Sequence, residues 1–143
     1  MEKTIMLLLR QLHLSLEQQG KERMKDLGLS TPQSLALNYL FSRAGQEVCA
    51  TELHALFGVS KSTISASLKG LREKGYVEMS GVPGDDRKKW IVLTDKAYAV
   101  KQEIDAGLME QERRLCRSIP PGRLEALEAD LETMLRNVRP ERQ

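Results

Sequence analysis

Residues 50–94 read ATELHALFGVSKSTISASLKGLREKGYVEMSGVPGDDRKKWIVLT, and the punctuation inside this stretch decides the fold. Leu53, Leu56 and Phe57 make a short apolar-faced helix of about Ala50 to Phe57, and Gly58 suits the left-handed conformation that ends helices. Val59 then reads as a buried turn residue. Ser60 reads as the N-cap of a second helix running to about Lys74, which Gly75 closes. Helix, glycine-containing turn and helix form a helix-turn-helix pattern. Tyr76-Val77-Glu78-Met79 follows as a short alternating strand, Gly81-Val82-Pro83-Gly84-Asp85-Asp86 is turn chemistry, and Trp90-Ile91-Val92-Leu93 is the returning strand. The spacing predicts a β-hairpin, a wing, after the second helix.

Both flanks read as helical. Upstream, about Glu2 to Lys25, Ile5, Leu8, Leu9, Leu12 and Leu16 recur at three- and four-residue steps. Thr31-Pro32 reads as an N-cap followed by proline at the first helical position, opening a helix with Leu35, Leu37, Tyr39, Leu40 and Phe41 that stops near Gly45. Downstream, Thr94 caps a long helix with Ala97, Val100, Ile104, Leu108 and Leu115 on one stripe, and Pro120-Pro121-Gly122 breaks it. A last helix sets Leu124, Leu127, Leu131, Met134 and Val138 in a narrow coiled-coil-like seam. The expected fold class is mainly α with a small β-hairpin wing: a winged helix-turn-helix with N- and C-terminal dimerisation helices. Residues 1–143 form a single domain in this reading, with 30–97 as the winged helix-turn-helix module and 1–27 and 98–143 as flanking helical regions.

Composition narrows the function. Apolar residues make up 41% of the 143, enough for a core, while aromatics at 4% argue against a stacking platform for single-stranded nucleic acid. Net charge is only +2, but it is unevenly placed. Gly58 to Leu93 holds seven Lys/Arg against four acids, and the remainder holds 15 against 16. A local basic excess is the footprint of a phosphate-binding surface.

At about 100° per residue, Ile64, Leu68 and Leu71 fall on one face of the second helix and Ser62, Ser65, Ala66 and Lys69 on the other. Small side chains let a helix sink into a major groove, where hydroxyls and lysine reach phosphates and base edges. The positive end of the helix dipole, beside Ser60, Lys61 and Ser62, also favours phosphate. In the hairpin, Arg87-Lys88-Lys89 follows a tight turn, and an arginine at a β-turn tip can enter a narrow, A·T-rich minor groove. Asp85 and Asp86 repel phosphate, so their expected task is support: capping the turn and holding Arg87 or a basic residue of the neighbouring helix. The bland alternatives are an exposed Ser-rich helix and a solvated charged hairpin.

The stretch from Leu53 to Thr94 resembles the multiple antibiotic resistance regulator (MarR) family of winged-helix regulators. The likeness rests on Leu53-xx-Leu56-x-Gly58-Val59-Ser60-Lys61-Ser62-Thr63-Ile64-Ser65, on Leu71-xxx-Gly75-Tyr76-Val77, and on Asp85-Asp86-Arg87 leading to Leu93-Thr94. Leu29-Ser30-Thr31-Pro32-Gln33 is also similar to the family, so with its flanks the likeness covers nearly the whole chain. It implies a ligand-responsive repressor, a homodimer with intertwined end helices that reads a pseudo-palindromic double-stranded DNA operator, with 30–97 as the DNA-binding module and 1–27 and 98–143 as the helical dimerisation region. It implies that Ser60, Lys61, Ser62, Thr63 and Ser65 line the major-groove contact and that Arg87 is the wing-tip arginine. Ala66 stands where such proteins often carry a larger or basic side chain, and Ala97 where glycine is often seen.

Relatives often respond to small phenolic or lipophilic effectors, and the resemblance extends that expectation to a small-molecule effector here. Arg10, His13, Met24 and Tyr39 are the candidates to approach such a cleft, although surface or core roles explain each more simply. His13, His54, Cys49 and Cys116 show no metal-ligand spacing, and no catalytic constellation or glycine-rich phosphate loop is present, so neither metal nor cofactor nor enzymatic activity is expected. Cys49, just before a helix N-terminus, is the better candidate for a redox-sensing thiol; Cys116 reads as packing. Two unpaired cysteines without a signal-peptide pattern point to a cytoplasmic protein, and Met6-Leu7-Leu8-Leu9, stopped at Arg10, is too short to span a membrane. The competing reading is a winged helix used for protein–protein docking without DNA, for which exposed aromatics or leucines would be the mark.

Overall fold

A computed structural model describes residues 2–139. In chain order these form α1 (Ile5–Arg23), a 3₁₀ turn (Lys25–Leu27), α2 (Thr31–Ser42), α3 (Ala50–Phe57), α4 (Lys61–Glu73), β1 (Val77–Val82), β2 (Asp85–Leu93), α5 (Asp95–Leu115) and α6 (Pro121–Val138). The chain divides into two compact units, Met1–Gln111 and Glu112–Gln143, with the boundary inside α5.

The first unit holds one core. Leu37 and Leu40 of α2, Leu53 of α3, Ile64, Leu68 and Leu71 of α4, Val77 of β1, Ile91 of β2 and Ile104 of α5 are all buried in it. Tight helix crossings rest on small residues. A Cβ on Gly70 of α4 would stand 2.5 Å from Nε2 of Gln33, so the absence of a side chain there leaves room for the Gln33 amide between α2 and α4. Polar ties join other helices: Arg23 donates to the Gly107 carbonyl at 2.5 Å and Gln111 to the Leu16 carbonyl at 2.9 Å, linking α1 to α5. Asp105 of α5 accepts from Asn38 of α2 at 2.9 Å and from Lys101 at 2.7 Å. Burial pushes the Asp105 carboxyl up, but the hydrogen bonds from Lys101 and Asn38, with the lysine charge, outweigh it and hold the group below the usual carboxylate range.

Several boundaries differ from the sequence reading. Ser30, not Thr31, caps α2: its hydroxyl accepts from Gln33 N while the Gln33 side chain accepts from Ser30 N, a capping box, and Pro32 stands one residue further into the first turn. That helix ends at Ser42, three residues before Gly45. Val59 is exposed rather than buried, because the core at this turn is filled by Leu53 and Ile64 on either side of it. Leu115, expected on the buried stripe of α5, is also exposed. Thr94 does cap α5, accepting from Ala97 N at 3.3 Å.

The hairpin is longer than expected. β1 and β2 pair antiparallel from Val77↔Leu93 to Gly81↔Lys89, and then Val82 pairs with Asp85. The turn itself is only Pro83-Gly84, with Gly84 at φ 81°, as proline–glycine turns of type II require. Asp86, Arg87 and Lys88 are therefore surplus to the ladder and form a bulge on β2. An isolated bridge joins the hairpin to the segment before α3: Cys49 pairs with Trp90, and Ile91 N donates to the Val48 carbonyl at 2.8 Å.

The second unit contains the end of α5 and all of α6. Along α6, Leu127, Leu131, Leu135 and Val138 are exposed while Leu124 and Met134 are half-buried. Among the described residues no helix is long and apolar enough to cross a membrane.

Candidate nucleic-acid interface

Helix α4 starts with a cluster of hydroxyls. Ser60 Oγ accepts from Thr63 N at 3.2 Å and lies 3.0 Å from Ser62 Oγ and 2.8 Å from Thr63 Oγ1. Capping uses one lone pair of Ser60. With one hydrogen and one lone pair left, Ser60 donates to one of the two neighbouring hydroxyls and accepts from the other, so one hydroxyl hydrogen of the cluster remains free to turn toward an approaching acceptor. Ile64, Leu68 and Leu71 turn inward at 6%, 6% and 0% exposure, which leaves Lys61, Ser62, Thr63, Ser65, Ala66 and Lys69 exposed. One side of the helix is thus locked in the core, and the other is a ridge of small polar side chains with a lysine at each end.

The sequence reading left out Arg72. It is exposed and follows Lys69 by three residues, extending the outer face by almost one turn. Its signal was present in the helical spacing but fell where the helix was already reading as near its end.

On the wing, Asp85 Oδ1 accepts from Arg87 N at 3.0 Å and Lys88 N at 3.2 Å. The carboxylate thus fixes the backbone of the bulge, and Arg87, Lys88 and Lys89 are all exposed on it. Among the described residues no ion pair joins Arg87 to Asp85 or Asp86, so the expected side-chain clamp is absent and the support comes through the backbone. The Lys88 ammonium lies 5.3 Å from the centre of the Trp90 ring, a cation–π contact that draws it back along the strand. Its signal in the sequence is the two-residue spacing, which on a strand sets both side chains on one face.

The other candidates fall elsewhere. Met24 belongs to the core, and Arg10 and His13 are exposed on α1. Tyr39 donates to Glu52, tying α2 to α3 with Arg43 beside the pair at 3.7 Å from the carboxylate. The hydrogen bond with Glu52, then burial, then the Glu52 charge raise the Tyr39 phenol above its ordinary value, against the opposing pull of Arg43. Cys49 is the N-cap residue of α3 without a capping side-chain bond, and it is half-buried, as is Cys116. Among the described residues no cluster of three or more His, Cys, Asp or Glu is placed to hold a metal ion.

Comparison with known proteins bears on the fold that carries these residues. Residues 29–97 match the family model of the winged helix DNA-binding domain. The fold is shared with MepR of S. aureus solved as a DNA complex, at 20% identity and TM-score 0.88 over 96% of this chain and 100% of that one. A MarR-family transcriptional regulator from Silicibacter pomeroyi is 27% identical, with TM-score 0.76 over 96% and 91% of the two chains. A Listeria monocytogenes protein described as a putative MarR-family regulator, solved with a 26mer DNA, has 16% identity and TM-score 0.85 over 96% and 91%. No curated protein sequence gives a significant match.

Proposed function

We propose that this chain, a winged-helix protein with the fold of the MarR-family transcription regulators, is a sequence-specific double-stranded DNA-binding regulator that acts as a homodimer in the cytoplasm. One observation carries the reading: α4 offers a hydroxyl-and-lysine ridge from its N-terminus onward while its opposite face is sealed into the core. The neighbours solved with DNA add support from outside the chain.

In the proposed complex, Ser62, Thr63 and Ser65 reach base edges, and Ser60, Lys61 and Lys69 meet phosphates near the groove. Arg87, Lys88 and Lys89 approach the backbone and minor groove beside it. Asp85 acts by fixing the bulge that presents them. Residues 30–97 serve as the reading module, and 1–27 with 98–143 as the dimerising region. Two-fold symmetry then places the recognition helices about one DNA turn apart, near 34–36 Å, so the operator is a pseudo-palindrome. The chain represses or activates by occupying that site, with no catalytic step of its own.

Selection of bound sequences from random duplex DNA tests this directly, and the outcome expected is a two-fold symmetric motif. On the selected duplex, log K should fall against log salt with a slope of about −7 if each subunit neutralises about four phosphates. Arg87→Ala, shown to be folded by circular dichroism, should weaken binding about tenfold, most at A·T-rich flanks. A flat salt dependence would favour protein docking, and an Arg87→Ala variant binding as tightly as the parent would remove the wing from the interface.

A further inference from the structure

An open cleft of about 830 Å³ lies between the C-terminal half of α1, the start of α2 and the end of α4, away from the ridge and the wing bulge. Its size falls within the range of small-ligand sites, about 300–1,000 Å³. Glu17, Lys21, Lys25, Leu29, Gln33 and Lys74 are among its lining residues. Three lysines and one glutamate thus share the lining. Among the described residues none of the three lysines forms a salt bridge. Lys74 instead donates to two neutral oxygens, the Gly28 carbonyl and Gln33 Oε1, the latter at 3.3 Å.

We propose that this cleft binds a small phosphate monoester with an apolar body. The uncompensated charge of +2 matches a dianion. Lysines are compact point charges that surround a tetrahedral phosphate well, whereas a planar carboxylate is best met by the arginine fork, and no arginine lines the cleft. Leu29 and the methylene stems of the lysines supply an apolar wall for the rest of the molecule.

The site is joined to the recognition helix. Lys74 is the C-cap of α4, and Gln33, which it touches, packs directly against Gly70 of the same helix. An anion that draws the Lys74 ammonium away from Gly28 and Gln33 loosens the seat of α4 on α2. This consequence for DNA rests on the proposed function; the binding itself does not.

Calorimetric titration of the full chain with phenyl phosphate at low ionic strength tests the proposal. Saturable binding at one site per subunit is expected, with phenol binding about tenfold weaker or worse. The Lys21→Ala, Lys25→Ala double variant, whose two lysines are exposed and outside the core, should lose about tenfold or more in phenyl phosphate affinity. Phenyl phosphate should also shift the duplex affinity of the parent and leave that of the double variant unmoved. Absence of saturable binding, equal binding by the double variant, or phenol binding as tightly as its phosphate would each overturn the proposal. So would a double variant that loses duplex affinity while phenyl phosphate binds neither protein, since the lysines would then serve the DNA backbone. If phenyl phosphate binds as expected and the parent selects no duplex, the cleft stands and the DNA-binding reading falls.

Discussion

Helices α4 and α6 carry similar apolar stripes, and their leucines meet opposite fates. On α4, Leu68 and Leu71 are 6% and 0% exposed; on α6, Leu127 and Leu131 are 43% and 38% exposed. The first stripe finds α2, α3 and β1 within its own chain. The second is left largely open to water. Burial returns about 25 cal/mol per Å² of apolar surface, so α4 has realised that gain and α6 has not. The difference teaches that the winged-helix module is complete in one chain, while the C-terminal helix leaves an apolar stripe uncovered. In the proposed homodimer a second copy covers that stripe, and α1, with Ile5, Leu8, Leu9 and Leu12 exposed, presents the same kind of face.

The contrast is broken most severely from the α4 side. Leu71→Ala removes a fully buried side chain and should cost about 3 kcal/mol of stability, read as a lower urea midpoint with the same slope. A loss within experimental error would mean that α4 is not seated as described. On the α6 side, Leu127→Asp combined with Leu131→Asp should leave secondary structure of the first unit intact and raise the dimer dissociation constant about a hundredfold. Sedimentation at micromolar concentration distinguishes the outcomes, and an unchanged dimer would place the interface elsewhere.

The smallest expected effect concerns Asp105, which ties α5 to α2. Its folded-state pKa is depressed, so its contribution is present in full above the ordinary carboxylate range and is lost as pH falls through the lower folded value. Asp105→Asn should therefore cost about 1 kcal/mol at pH 7 and progressively less toward pH 2.5. Urea midpoints of parent and variant should converge in acid. A gap that stays constant across that range would show the carboxylate charge to be irrelevant to the tie.

The sequence was most legible where a single residue type settles a backbone choice. Gly58 has φ 68° and ends α3 at Phe57 as expected, and Ser60 opens α4 through a cap visible from its spacing to the apolar residues. It was least legible where structure depends on a distant partner. Cys49 meets the hairpin through one isolated bridge to Trp90, too short for any periodicity to declare. Val59 looked buried because it is apolar, yet apolar residues supply much of any protein's surface. The ridge of α4 followed from helical periodicity, but that Asp85 supports the bulge through two backbone N–H groups, with no clamp on Arg87, required the register of the hairpin.

That register has one further consequence. Ile91 and Val77 anchor the hairpin to the core, and the ladder between Val77↔Leu93 and Gly81↔Lys89 is regular. The three surplus residues lie wholly beyond it, so the wing behaves as an arm of adjustable reach on a fixed shoulder. Adding or removing a residue there changes how far the tip extends, by up to about 3.3 Å for each extended residue, without shifting a single inward-facing side chain to the wrong side. The length of the tip can therefore change while the module that carries the wing stays untouched.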